Sequence, residues 1–118
     1  STTIPTIIQT VASGEGPSSI AIDTGRNRIY VVNTEADTLT VYPVSNSPTA
    51  PIGAPISVLS TGDQPIDVYY DTARNRILVA NLSSDSLTVY SAATLTQLTG
   101  SPFILGDGPY ALEIQPAP

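Results

Sequence analysis

Apolar residues in this chain fall in short runs, each ended by a cluster of Gly, Pro, Asn, Asp or Ser. Runs of that kind, rich in Val, Ile, Thr and Tyr, read as β-strands. No stretch keeps apolar residues at helical spacing for long enough to make a helix. The pattern predicts strands over Ser19–Asp23, Arg28–Asn33, Thr38–Tyr42 and about Ile56–Leu59. A second set follows over Asp67–Asp71, Arg76–Asn81, Ser86–Tyr90 and about Phe103–Leu105. Thr6–Ala12 predicts one more strand ahead of these, and Tyr110–Ile114 one behind. Asp-Thr-Gly-Arg-Asn and Asp-Thr-Ala-Arg-Asn have the chemistry of tight hairpins, with Asp bonding local backbone and Asn tolerating the left-handed region. The strand at Arg28–Asn33 is apolar on both faces (Ile29, Tyr30, Val31, Val32), which suits a strand packed between two neighbouring layers.

The two sets are copies of one another. Pro17–Tyr42 aligns without a gap on Pro65–Tyr90, an offset of 65 − 17 = 48, with 14 identical residues in 26 positions. Unrelated segments would share about one or two on composition alone. A third start stands at Pro109, at an offset of 109 − 65 = 44, the Pro-rich loop Pro43–Pro55 having no full counterpart in the second unit. A period of 44 to 48 residues holding four short strands is the signature of a β-propeller blade. The predicted class is therefore all-β, built of four-stranded antiparallel blades. Residues 4–16 make a leading outer strand and loop, 17–64 one blade, 65–108 another, and 109–118 the first strand of a further blade. Closed propellers take about four to eight blades. The chain is thus expected to be part of a larger propeller, or a protomer that closes by oligomerising.

Pro-x-x-Ile/Val-x-x-Asp-x-x-Arg-Asn-Arg, then Tyr30-Val31-Val32-Asn33, then Asp-x-Leu-Thr-Val-Tyr resembles the YVTN-type β-propeller repeat; Leu78-Val79-Ala80-Asn81 is a looser copy of its name motif. The resemblance covers nearly the whole chain and implies the propeller fold. Its relatives include surface-layer proteins and lactonase-like propellers. It keeps one enzyme class in view, a metal-assisted lactonase using Glu, Asp and Asn around the channel.

Composition narrows the chemistry. The chain has no Cys, His, Met, Trp or Lys, and its formal net charge is −6. Phosphate backbones are bound by Lys and Arg, so nucleic acid is not the expected partner. The same balance argues against an anionic membrane surface, and no apolar run approaches the roughly 18 residues of a membrane span. Without His or Cys there is no Ser-His-Asp or Cys-His nucleophile and no imidazole or thiolate zinc site; without Lys there is no Schiff base. Low charge and abundant Ser and Thr point to an extracytoplasmic protein: secreted, periplasmic or cell-surface.

Blade topology sorts the charges. Loops joining the fourth strand of one blade to the first of the next, and loops joining second to third strands, emerge on one face. The first set repeats as Gly14-Glu15-Gly16-Pro17, Gly62-Asp63-Gln64-Pro65 and Gly106-Asp107-Gly108-Pro109. The second adds Glu35, Asp37 and Asp85, a face for a partner. All four Arg (Arg26, Arg28, Arg74, Arg76) fall on the opposite face beside Asp23 and Asp71, while Asp67 and Glu113 lie in channel-lining strands. A ring of carboxylates focuses negative potential, and Ca²⁺ is held by oxygen ligands, so Glu15, Asp63 and Asp107 are the candidate metal site, with Ca²⁺ the candidate ion. Against this, Gly-Asp-Gly-Pro is ordinary turn chemistry. Arg26 and Arg74 are expected to pair with their own hairpin aspartates, Tyr42 and Tyr90 to pack, and Asn33 and Asn81 to cap turns. Asn81-Leu82-Ser83 is a glycosylation sequon.

The sequence reading is a non-catalytic binding or scaffold module with an acidic face for a protein, a glycan or a cation, completed by further blades or by a homo-oligomer. The alternatives are a piece of a lactonase-like enzyme whose other blades carry the site, and a structural component of a surface layer or extracellular filament.

Overall fold

In a computed structural model, which describes residues 15–104, the chain forms eight strands and, among those residues, no helix. Strands β1 (Pro17–Asp23), β2 (Arg28–Asn33), β3 (Thr38–Pro43) and β4 (Ser57–Ser60) make one antiparallel sheet in sequence order. Strands β5 (Pro65–Asp71), β6 (Arg76–Asn81), β7 (Ser86–Ser91) and β8 (Phe103–Ile104) make a second in the same order. These are two propeller blades, and the strands lie within a residue or two of their sequence-predicted bounds. The leading strand at Thr6–Ala12 and the trailing one at Tyr110–Ile114 fall outside the described residues.

The repeat extends to backbone detail. Asn27 and Asn75 close the first hairpin of each blade at φ of 53° and 55°, and Asp37 and Asp85 the next at 55° and 47°. Asn and Asp are the side chains that enter this left-handed region at least cost. Ahead of each blade, Gly16 (67°) and Gln64 (53°) also occupy it at equivalent positions.

Period-two alternation decides what each blade buries. One face of the first blade (Ala21, Tyr30, Val32, Leu39, Val41, Leu59) packs on one face of the second (Val68, Tyr70, Ile77, Val79, Tyr90, Ala92). The core is thus the seam between blades. Tyr90 shows what the tyrosine closing the Leu-Thr-Val-Tyr run of β7 does: its ring is buried and its hydroxyl donates to Ser60 O at 2.6 Å, fastening the second blade to β4 of the first.

Asn33 and Asn81 do more than cap turns. Both are fully buried. Asn33 Nδ2 donates to the hydroxyls of Thr38 and Thr40 on β3, and Asn81 Nδ2 donates to those of Ser86 and Thr88 on β7. Asn81 Oδ1 accepts the Gly62 amide at 3.1 Å, so one side chain joins two strands and the loop from the preceding blade. The sequon amide is therefore withdrawn from the surface in the folded chain. Gly62 is held close: a Cβ there would stand 2.6 Å from Ser84 Oγ and 2.8 Å from Asn81 Cγ. Gly62→Ala is accordingly expected to destabilise by about 1–3 kcal/mol, read as a lower urea midpoint with an unchanged slope.

Candidate functional site

Backbone bonds settle which loops share a face. Thr34 N and Glu35 N donate to Gly16 O and Glu15 O, and in the next blade Leu82 N and Ser83 N donate to Gln64 O and Asp63 O. The loop entering each blade therefore lies beside that blade's β2–β3 or β6–β7 turn. Glu15, Glu35, Asp37, Asp63 and Asp85 all stand on these loops, and no Arg does. Several of the acidic residues also have local structural work. Asp37 Oδ1 accepts the Gln64 amide at 2.9 Å and Asp37 O accepts the Thr61 amide, joining one blade's turn to the loop that starts the next. The Asp63 amide donates to Ser84 Oγ at 3.0 Å, and Ser83 Oγ donates to Gln64 Oε1.

Asp107 of the predicted metal trio lies outside the described residues. Among the described residues, no three His, Cys, Asp or Glu side chains converge as a metal site would require. Asp67, on the first strand of the second blade, accepts the Ser19 hydroxyl at 2.8 Å, and the same hydroxyl accepts the Val68 amide at 3.3 Å.

The opposite face carries the guanidinium groups, and here the sequence reading missed the main construction. Arg26 pairs with Asp23, as Arg74 pairs with Asp71, at 3.3 and 3.0 Å. The first pair is one corner of a larger network. Asp23, fully buried, accepts the Arg26 amide on Oδ1 at 3.1 Å and, on Oδ2, the Arg26 guanidinium and the Tyr30 hydroxyl at 2.7 Å. Arg26 Nη1 also donates across the seam to Tyr70 Oη at 3.0 Å and to Asn75 Oδ1 at 3.5 Å, while Arg28 Nη1 donates to Ala92 O at 3.2 Å. The Tyr30 and Tyr70 rings meet with centroids 5.9 Å apart. Burial, and next the bond to Asp23, hold the Tyr30 phenol well above its ordinary value of 10.0. Three donors on one buried carboxylate offset the cost of removing its charge from water.

The repeat held the available signal for this network: Asp, Arg and Asn stand at every corresponding position, whereas Tyr30 is Leu78 in the second copy. Tyrosine at one copy of an otherwise apolar position marks where a hydroxyl is used.

Among the described residues, two of the hollows bear on this architecture. One, of about 270 Å³, runs between the inner strands β1 and β5 and is lined by Ile20, Ala21, Ile22, Val68, Tyr69 and Tyr70. The other, of about 250 Å³, lies on the Arg-bearing face of the first blade, among Ile22, Asn27, Ile29, Val44 and Ile52.

The family described as lactonase, 7-bladed beta-propeller matches residues 2–110 of this chain. Among solved structures, hydrazine synthase from Kuenenia stuttgartiensis is 21% identical with a TM-score of 0.64, covering 85% of this chain and 27% of its own. A protein from Lactobacillus plantarum is 22% identical with a TM-score of 0.56, covering 75% of this chain and 26% of its own. At that identity the likeness is one of fold, and the chain spans about a quarter of either structure. No curated protein matches it.

Proposed function

We propose, from the premise that this chain belongs to the seven-bladed β-propeller lactonase family, that it acts as a non-catalytic wall and binding sector of a propeller. In this reading it lies outside the cytoplasm and offers its acidic loop face to a cationic partner. The observation that carries the reading is the separation of charge. Glu15, Glu35, Asp37, Asp63 and Asp85 stand on one set of loops, and every Arg stands on the other side, occupied at Arg26 and Arg28 with the seam. One-signed charge on a rim raises the local concentration of oppositely charged ligands. Ca²⁺, a basic protein segment or a cationic glycan has the matching chemistry.

Family membership favours a second reading, in which the chain is a sector of a lactonase and other blades complete the active centre. Among the described residues no full ligand set for a catalytic metal is assembled, so no hydrolytic step is assigned to them. One experiment separates the readings. The full chain is titrated with Ca²⁺ and, separately, with oligolysine by calorimetry, and assayed on five- and six-membered lactones with and without divalent metal. Salt-sensitive binding that weakens in the Asp63→Asn, Glu35→Gln double variant, without lactone turnover, is the expected result. Metal-dependent turnover by the full chain would overturn the first reading in favour of the second.

A further inference from the structure

The first blade carries an elaboration that the second does without. After β3 the Val44 amide donates to Asn27 O at 2.8 Å, as after β7 the Ala92 amide donates to Asn75 O at 2.9 Å. From there the two blades part. In the second, the Ser91 amide donates to Thr96 O and the loop turns back at once, with Leu95 packed on the core. In the first, Val44 bridges Ile52, the Ser45 amide donates to Pro51 O at 2.7 Å, and the Gly53 amide donates to Pro43 O at 3.0 Å. These bonds close a stem whose tip is Ser45-Asn46-Ser47-Pro48-Thr49-Ala50-Pro51. β3 pairs with β2 only as far as Pro43, so the tip lies past the end of the sheet, on the arginine-bearing side. A stacked blade covers the face of a sheet, and this tip is off both faces.

Three of the seven tip residues carry a hydroxyl and two are proline. Chain rich in Ser, Thr and Pro has the composition of O-glycosylated segments. The structure tells the three hydroxyls apart. Ser45 Oγ accepts the Ser47 amide at 3.3 Å and Ser47 Oγ accepts the Ala50 amide at 3.0 Å, the local bonds by which serine holds a turn. Thr49 is exposed, stands between Pro48 and Pro51, and has no part in holding the turn. On the second blade the exposed Thr94 and Thr96 differ, for their hydroxyls bond each other at 2.7 Å and no proline adjoins them. The N-linked sequon is the opposite case, its Asn81 amide being fully buried and bonded at both ends. A proline-recognising groove is the poorer match to this tip. Such grooves take an extended polyproline II segment, whereas the serine caps and the Ser45–Pro51 bond fold the tip into a turn.

We propose that Thr49 is an acceptor for an O-linked glycan, a site that rests on the extracytoplasmic location proposed above. Thr49 Oγ1 attacks the anomeric carbon of a glycosyl phosphate donor. A carbon–oxygen bond to Thr49 forms as the sugar–phosphate bond breaks; the phosphate leaves with the electron pair, and the hydroxyl proton passes to a base of the transferase. The sugar stands on the arginine side of the blade, opposite Glu15, Glu35, Asp37, Asp63 and Asp85, and leaves the acidic loops clear for a partner.

The test takes the whole protein from the organism that makes it, divided into cytoplasmic and extracytoplasmic fractions. Trypsin, cutting after Arg28 and Arg74, releases residues 29–74 as one peptide, which is weighed and then sequenced by a fragmentation that keeps sugars attached. The expected result is an extracytoplasmic peptide heavier by whole sugar residues, with the added mass on Thr49. Thr49→Ala should lose that mass and Thr49→Ser should keep it, both with the parent circular dichroism spectrum. A bare peptide from protein found outside the cytoplasm overturns the proposal and leaves the location standing. A bare peptide from protein found only in the cytoplasm overturns both. Added mass that survives Thr49→Ala, or a phosphate in place of sugar, also overturns the proposal.

Discussion

Tyr30→Phe is expected to lower folding stability by about 2 kcal/mol, the range for a hydrogen bond to a charged group, and Tyr30→Ala by about 4 kcal/mol. The phenol is fully buried and its hydroxyl donates to Asp23 Oδ2 at 2.7 Å. Phenylalanine keeps the packing on Tyr70 and removes that donor, leaving the buried carboxylate to Arg26. Alanine adds a cavity at the seam, where partial collapse sets the cost. Urea unfolding at neutral pH measures both, and a loss below about 0.5 kcal/mol for the phenylalanine variant would show that Arg26 alone satisfies Asp23.

The same phenol has an alkaline signature. Its folded-state pKa is raised above 10.0, by burial first and by Asp23 second. A raised folded value means that folding favours the protonated form. The contribution is therefore complete below the unfolded value and declines as pH climbs above it. The parent should lose stability above about pH 10, and Tyr30→Phe should lose less over the same interval. Parallel curves for the two proteins would mean that Tyr30 ionises no differently in the fold than in the unfolded chain.

Asn81→Asp is the second large effect expected, about 3 kcal/mol at pH 7. Asn81 is fully buried and uses both ends of its amide: Nδ2 on Ser86 and Thr88, Oδ1 on the Gly62 amide. A carboxylate keeps the acceptor and loses the donor. It would face Ser86 O, a partner it can only repel, and would carry a charge where none is compensated. Protonation restores a hydroxyl donor of nearly the amide's shape. The introduced carboxyl is therefore held neutral in the fold, its pKa raised, so stability is present at low pH and lost as pH rises. Denaturation at pH 4 should recover part of the loss seen at pH 7. Equal losses at the two values would show that shape, and not charge, is what the position requires.

Asn33 and Asn81 also show how local structure and repeat position interact. Among the described residues Asn33 Oδ1 is buried without a hydrogen-bond partner, whereas Asn81 Oδ1 accepts from Gly62. The repeat counterpart of Gly62 is Gly14, outside the described residues. The sequence identified both asparagines as repeated, but repetition could not tell a turn cap from a buried tie. That distinction depends on β3 and β7 being folded against them, which places threonine and serine hydroxyls opposite the amide.

Much of the architecture is legible in the chain by itself. A copy at an offset of 48 residues, carrying Asp, Arg-Asn-Arg and Leu-Thr-Val-Tyr in register, fixes the order of the first three strands of each blade, because short strands joined by tight Asp and Asn turns pair with their neighbours. The turns also fix which loops emerge together, and so put the acidic residues on one side and the arginines on the other. What the linear pattern did not carry is everything that crosses the seam. Arg26 reaching Tyr70 and Asn75, and Arg28 reaching Ala92 O, depend on side chains 44 to 64 residues apart being brought together by blade stacking. Strand periodicity says only that a face is apolar. Whether that face is covered, and by what, is decided when a second sheet is placed on it: Val68 is buried by the neighbouring blade, while Ile20, its copy in the first blade, is left at the surface.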